Sequence, residues 1–465
     1  MSEKEQYVTE IDDSFNKTQS MHRQKVPFKE RISYGLGDTA GNLIFMMSST
    51  YLMYFYTDIS GLDASAIGTL FLIARFMDAI GDPIVGICID RTNTRWGRSR
   101  PYFLWFCAPF ALFAVLTFYV PDLSTTLKLV YVYITYLLLN IGYSLVTLPL
   151  SSLLPNLTSD TKERTVLNSF RMIGGQVGAF LTNLTALPLV YFLGRGNDQK
   201  GFLMTIVFFA LIGVAMYLLT FKNTRERVRT VHNEKINIKQ GFRALKSNLP
   251  WWIILFIYFT YWFAFTVKNQ TAIYYMKYNL GHSSLTPIIT GLTVMMILSM
   301  IMVPFIANRI GKRNTMLIGF AIAIIAQLMT YVSTFTASTS ILIGSTALGY
   351  LGLGLVNGLI VAAIADVVDY GEWKTGIRAP GFLASAESFG VKFGTGLGGA
   401  SAAWIMSSNG YIAHKVQSSQ SLHAIQFDFI WIPLIMFVLG FISLLFYKID
   451  RLGPQVAEDL AKNRI

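Results

Sequence analysis

At 465 residues, with 53% hydrophobic and only 14% charged side chains, the chain is too apolar for a soluble globule, where roughly a quarter of residues carry charge. Two cysteines, both in apolar runs, and five histidines scattered through tails and loops give neither a disulfide framework nor the ligand spacing of a metalloenzyme. A net charge of +12 would suit a nucleic-acid binder, but its placement along the chain points to a membrane.

Taken in order, the first thirty residues are polar and charged and contain no apolar core of a cleavable signal peptide. About twelve apolar segments follow, each of about 20 residues or more and so able to span a bilayer. They centre near residues 45, 77, 110, 140, 178, 211, 262, 295, 323, 352, 393 and 435. With the N-terminus placed in the cytoplasm, 29 Lys and Arg fall on that side, five on the other, and four within or at the edges of spans. That asymmetry is the positive-inside pattern and puts both termini in the cytoplasm. The expected organisation is a tail over 1–30, six spans over 31–221, a basic cytoplasmic connector over 222–248, six spans over 249–447, and a tail over 448–465.

The halves echo each other. DRTNTRWGRSRP (Asp90 to Pro101) follows the second span and ANRIGKRNT (Ala307 to Thr315) follows the eighth, each a Gly turn with basic residues after it. Two six-helix halves with this loop signature resemble the major facilitator architecture, in which the halves rock about a midplane site. The fold expected is an all-α membrane protein of 12 transmembrane helices.

Asp78 and Asp82 lie one helical turn apart inside the second span, with Arg75 a turn before them. Carboxylates at membrane depth are costly, and they face a wet cavity or a partner charge. At i, i+4 the two share a face and can hold Na+ through oxygen ligands or share a proton; one arginine does not cancel both. Lys392, in the glycine-rich SFGVKFGTGLGG, needs a counter-ion that this pair or Glu387 could supply, and its ammonium would compete with a transported cation. The glycines around it pack helices closely and form no nucleotide loop, since no strand precedes them.

Arg171, near the cytoplasmic end of its span, offers forked donors for sugar hydroxyls or a carboxylate, with interfacial snorkelling as the alternative. Lys268 suits either the substrate path or the outer interface. Asn42, Thr147, Ser151, Asn357 and Ser388 are neutral polar groups in apolar surroundings. Tyr51, Tyr54, Tyr56, Tyr258, Tyr261 and Trp262 supply aromatic faces. Sugars are held by such mixtures, stacked on rings and paired to amides and hydroxyls.

These residues sit in longer motifs: SYGLGD (Ser33 to Asp38), YLMYFYTD (Tyr51 to Asp58), GTLFLIARFMDAIGDPIVG (Gly68 to Gly86), RWGRSRPY (Arg95 to Tyr102), LPNLTSDTKER (Leu154 to Arg164) and ADVVDYGEWKTGIR (Ala365 to Arg378). Over about residues 31–450 the chain resembles the glycoside–pentoside–hexuronide:cation symporters, a branch of the major facilitator superfamily. The resemblance implies a cation site of Asp78 and Asp82, with Ser144 on a neighbouring span and Lys392 beside it. It also implies a role for Arg171 on the sugar side. It further implies a small glycoside as partner, a bilayer setting, and a coupling ion in place of any cofactor.

Two departures matter. Gly81 stands where melibiose-type members have an asparagine, which tilts the ion toward H+. Asn42 and Thr147 replace two acids, and Ser151 a tryptophan, which argues against a galactoside. The KTGIR segment is closer to xyloside- and glucuronide-type members, and a neutral, xyloside-like di- or oligosaccharide is favoured over a glucuronide. A lysolipid:Na+ symporter, a membrane enzyme and a non-transporting sensor are the more distant alternatives. A laterally open aliphatic cavity would favour the first of these. The second lacks the metal cluster or nucleotide motif it would need.

Overall fold

The computed structural model describes residues 26–158, 160–227, 248–336, 338–375, 380–413 and 415–447, with 449, 455, 456 and 459 beyond them. Residues 1–25 of the expected tail, 228–247 of the expected connector and most of 448–465 lie outside the described residues.

In the N-terminal half the helices are α1 (Phe28–Tyr54), α2 (Ala64–Arg91), α3 (Arg100–Thr117), α4 (Thr125–Leu157), α5 (Thr161–Gly194) and α6 (Asp198–Asn223). The C-terminal half has α7 (Leu249–Tyr274), a short α8 (Thr286–Gly291), α9 (Val294–Ile310), α10 (Lys312–Thr336), α11 (Thr339–Thr375), α12 (Pro380–Ser408), another short helix α13 (Ser419–Gln426) and α14 (Ile432–Leu445). Helix starts are set by side chains that accept orphan backbone N–H groups: Asp63 from Ala66, Asn197 from Lys200, and Asn248 from Trp251.

Among the described residues, nine helical stretches are long and apolar enough to cross a membrane. The three long helices outside that set, α1, α2 and α12, carry Asn42, the Arg75, Asp78 and Asp82 group, and Lys392 respectively. Within the halves α1 packs on α5 and α6, α3 on α4 and α6, α7 on α12, and α10 and α9 on α11. Between the halves α2 packs on α12, α1 on α7, and α5 on α8.

The echo between halves extends to backbone detail. Gly97 and Gly311, the two turn glycines, have φ of +112° and +84°, a region that favours glycine. At the opposite end α1 and α7 each run into a five-residue π-helix, Phe55–Ile59 and Tyr275–Asn279. The turns after them are closed by Gly61 and Gly281 at φ +70° and +72°.

Candidate functional site

On α2 the one-turn spacing places Arg75, Asp78 and Asp82 on the face turned toward α4 and α12. The Arg75 guanidinium pairs with Asp78 at 3.0 Å and donates to the Asn140 amide oxygen at 2.8 Å. Asp82 accepts from the Ser144 hydroxyl at 2.7 Å and from the Lys392 ammonium, which lies 4.0 Å from Asp78. Two acids and two bases thus make a balanced cluster. Asp78 is buried, while the Asp82 and Lys392 side chains keep 16% and 24% of their exposure. Both acids belong to the first half, and the ammonium that answers Asp82 to the second.

A crevice of about 460 Å³ runs beside the cluster, walled by Phe76, Ala79, Pro83, Phe389 and Phe393. It gives a small ion room at Asp82. A Cβ at Gly81 would meet nothing within 4 Å, so packing does not require the glycine there. A void of about 40 Å³ lies between the halves on the other side of Arg75, wide enough for roughly three waters. Ser48 Oγ, Thr266 Oγ1 and Gln270 Oε1, from residues that line it, are buried without a hydrogen-bond partner among the described residues.

A second cavity, of about 170 Å³, lies between α1, α5, α7 and α11. Asp38 and Asn42 on α1, Gln176 and Asn183 on α5 and Asn357 on α11 make one side polar. Tyr258, Tyr261, Trp262 and Phe265 on α7 make the other aromatic. The Tyr261 hydroxyl, Trp262 Nε1 and Asn183 Nδ2 are buried without a partner among the described residues. Unpaired buried polar atoms are costly, and a hydroxyl-rich solute would satisfy them. Gly175 makes room here: a Cβ would lie 2.7 Å from an Asp38 carboxylate oxygen and 3.1 Å from the Asn42 amide nitrogen.

The residues singled out by sequence divide. Asp78, Asp82, Ser144 and Lys392 come together, and Asn42 and Asn357 share the second cavity. Arg171 donates to the Ser151 hydroxyl at 2.7 Å and lies within electrostatic reach of Asp38. Thr147 bonds back to the Tyr143 carbonyl of its own helix at 2.7 Å. Lys268 is buried inside the second half, donating to Gln327 Oε1 at 2.6 Å, and lines neither cavity. The Ser388 side chain lies outside those described. Of the aromatics, Tyr54 accepts from Lys277, Tyr56 donates to the Thr117 carbonyl and Tyr51 to the Asn183 carbonyl, and none of the three lines the second cavity.

Sequence reasoning missed Asp38, Gln176 and Asn183 as cavity residues. The signal was present in the i, i+4 spacing of Asp38 and Asn42 and the i, i+7 spacing of Gln176 and Asn183, which each fix one helix face. It also missed a polar knot at the far end. There Asp58, fully buried, accepts from Lys277 Nζ at 3.0 Å, from Thr57 Oγ1 at 3.0 Å, and from the Tyr278 and Tyr411 hydroxyls. Lys277 also donates to Tyr54 at 2.8 Å. Burial raises the Tyr411 hydroxyl above its ordinary pKa, aided by Tyr274 and by the Asp58 charge, so it remains a phenol that donates. Asp58 comes from the first half and Lys277, Tyr278 and Tyr411 from the second. At the end carrying the basic loops, the ion pairs Arg31–Glu163, Arg227–Glu30 and Lys312–Asp366 each stay within one half.

Two helical halves enclosing a polar, aromatic-walled cavity with a charge cluster at their seam define a membrane transporter. The chain belongs to the family described as MFS/sugar transport protein, which matches over residues 33–451; it is a multi-pass protein of the cell membrane and not an enzyme. It is 46% identical over 443 residues to an isoprimeverose transporter of Lactiplantibacillus pentosus, covering 95% of this chain and 92% of that one. A symporter of Bacillus subtilis (strain 168) is 34% identical over 437 residues, covering 92% and 93%. The solved structure of a D-xylose-proton symporter has the same fold at a TM-score of 0.65 and 16% identity, over 90% of this chain and 97% of that one.

Proposed function

We propose that this protein is a glycoside:cation symporter with twelve crossing segments and both termini in the cytoplasm, taking up its sugar by alternating access. The observation that carries the proposal is the bond across the seam: Asp82 in the first half holds Lys392 in the second. A cation that binds Asp78 and Asp82 must displace that ammonium, so ion binding and the relation of the halves are linked. By reciprocity a sugar that favours the displaced arrangement tightens the ion, and the ion tightens the sugar. The far end is tied across the halves through Asp58, which supports an inward-facing conformation.

The coupling ion is H+ in preference to Na+: Gly81 offers no side-chain oxygen, and among the described residues Ser144 is the one neutral side chain bonded to Asp82. Asp38, Asn42 and Asn357 hold the sugar hydroxyls against the face of Trp262 and its neighbours, and Arg171 and Ser151 close the polar network. A neutral glycoside is favoured over a glucuronide because neither candidate cation is available to a sugar carboxylate. Arg171 already faces Asp38, and Lys268 is turned to Gln327. The name of the 46% identical relative supports a xyloside-like disaccharide such as isoprimeverose.

Uptake into energised vesicles tests this, with a panel of xylosides, glucosides, galactosides and glucuronides, with and without Na+ at fixed pH. Accumulation of a xyloside driven by a proton gradient and indifferent to Na+ is the expected result. Accumulation indifferent to both gradients overturns the symporter, and dependence on Na+ at fixed pH overturns the choice of ion. Asp38→Asn removes a charged acceptor of sugar hydroxyls, a bond worth about 1.5–3 kcal/mol. Half-saturation is expected to rise roughly ten- to hundredfold with the accumulation ratio retained; an unchanged KM would remove Asp38 from the sugar site.

A further inference from the structure

The loop between α2 and α3, at the basic end, forms a pocket that neither cavity above explains. Its volume is about 360 Å³, and Arg95, Arg98, Arg100 and Arg225 line it together with Trp96. Its acid, Glu226, is engaged elsewhere, accepting from the backbone N–H groups of Arg98, Ser99 and Arg100 at 2.9, 2.8 and 3.1 Å. The Arg100 guanidinium is fixed on the carbonyls of Phe221 and Trp96 at 2.7 and 3.2 Å. Arg95 lies over the Trp96 ring, 4.4 Å from its centroid. The exposed side chains of Arg95, Arg98 and Arg225 have no ion pair among the described residues. The sequence beyond Arg227 adds little countercharge, since residues 228–247 contain one acid, Glu234, against Arg229, Lys235, Lys239, Arg243 and Lys246.

Three guanidinium groups without acids, converging on one pocket, fit an anion with several oxygens, because the planar fork matches phosphate geometry. The surroundings name its source. Ile84 and Ile87 at the end of α2, Leu104 and Trp105 at the start of α3, and Leu218 and Leu219 near the end of α6 are all exposed apolar side chains at this same end. A free phosphate would make no use of them, whereas acyl chains would lie along them. We infer that this pocket binds the phosphate headgroup of an anionic phospholipid such as phosphatidylglycerol, held by Arg95, Arg98 and Arg225, with Trp96 at the level of the interface. The site is independent of which solute is carried.

The test is a titration of the full-length protein in neutral detergent with dihexanoyl phosphatidylglycerol, dihexanoyl phosphatidylcholine and inorganic phosphate. The expected result is phosphatidylglycerol binding at least tenfold tighter than phosphatidylcholine, weakened by added NaCl. That preference should be lost in the Arg95→Gln/Arg98→Gln/Arg225→Gln variant. Arg98→Lys, which keeps the charge, should retain most of it, and thermal unfolding of both variants shows whether the fold is intact. If the triple variant does not fold, Arg98→Gln alone is expected to weaken phosphatidylglycerol about threefold. Equal affinity for the two lipids, or a preference that survives the arginine replacements, overturns the site. Inorganic phosphate binding as tightly as phosphatidylglycerol overturns the lipid as its occupant.

Discussion

Asp82→Asn is expected to abolish uphill accumulation of sugar while leaving downhill entry or exchange. The carboxamide has nearly the shape of the carboxylate and can still accept from Ser144. Charge is what changes: two acids and two bases become one acid and two bases. A cation arriving at Asp78 then meets a surplus positive charge at about 4 Å, worth roughly 4 kcal/mol at the effective dielectric of a protein surface. That weakens its binding about a thousandfold. Pairing the change with Lys392→Ala restores neutrality and separates charge from shape. The double variant should regain sugar binding and exchange but not accumulation. Accumulation ratios in vesicles, measured beside exchange of labelled sugar, check both outcomes. Undiminished accumulation in Asp82→Asn would remove this cluster from the coupling mechanism.

Asp58→Asn is expected to open the far end. Four donors converge on the buried Asp58 carboxylate, three of them from the opposite half. Outward opening has to separate those three. Removing one partner of a buried ion pair costs about 3–5 kcal/mol, and the loss falls only on the conformation in which the pair is formed. The balance between the far end closed and open should therefore move by two orders of magnitude or more. The readout is a Thr266→Cys probe in a background without Cys88 and Cys107, labelled from outside with a membrane-impermeant maleimide. Thr266 lines the void between the halves, beneath the knot. Its labelling rate should rise at least a hundredfold with Asp58→Asn and less with Tyr411→Phe, which removes one donor. An unchanged rate would mean that the far end is held shut by something else.

Much of this was legible in the sequence, for physical reasons. Charged residues inside apolar runs are rare enough that Asp78, Asp82 and Lys392 identify themselves, and i, i+4 spacing fixes the face the aspartates share. Which bases meet which acids was not legible, because Asp82 and Lys392 are 310 residues apart and their meeting depends on how α2 packs on α12. Lys268 illustrates the limit. A lysine in a span suggests a cavity, but a single amide partner on α10 holds it inside one half. Asp38 was hidden for the opposite reason, near the start of a helix rich in glycine and serine where a lone acid reads as interfacial. The Asp58 knot draws on three distant segments, and its residues resemble an ordinary interfacial belt until the two π-helices bring them together.

That separation of Asp82 from Lys392 bears on how the protein is made. At about 5–20 residues per second, the ribosome takes roughly 15 to 60 s to reach Lys392 after Asp82 has emerged. Arg75 travels in the same helix as Asp78 and can answer that charge at once, and Ser144 arrives with α4. Asp82 has no ammonium until α12 enters the bilayer. The N-terminal six helices expressed alone should therefore be a poor product, short-lived in the membrane, and rescued by supplying the other six as a separate chain.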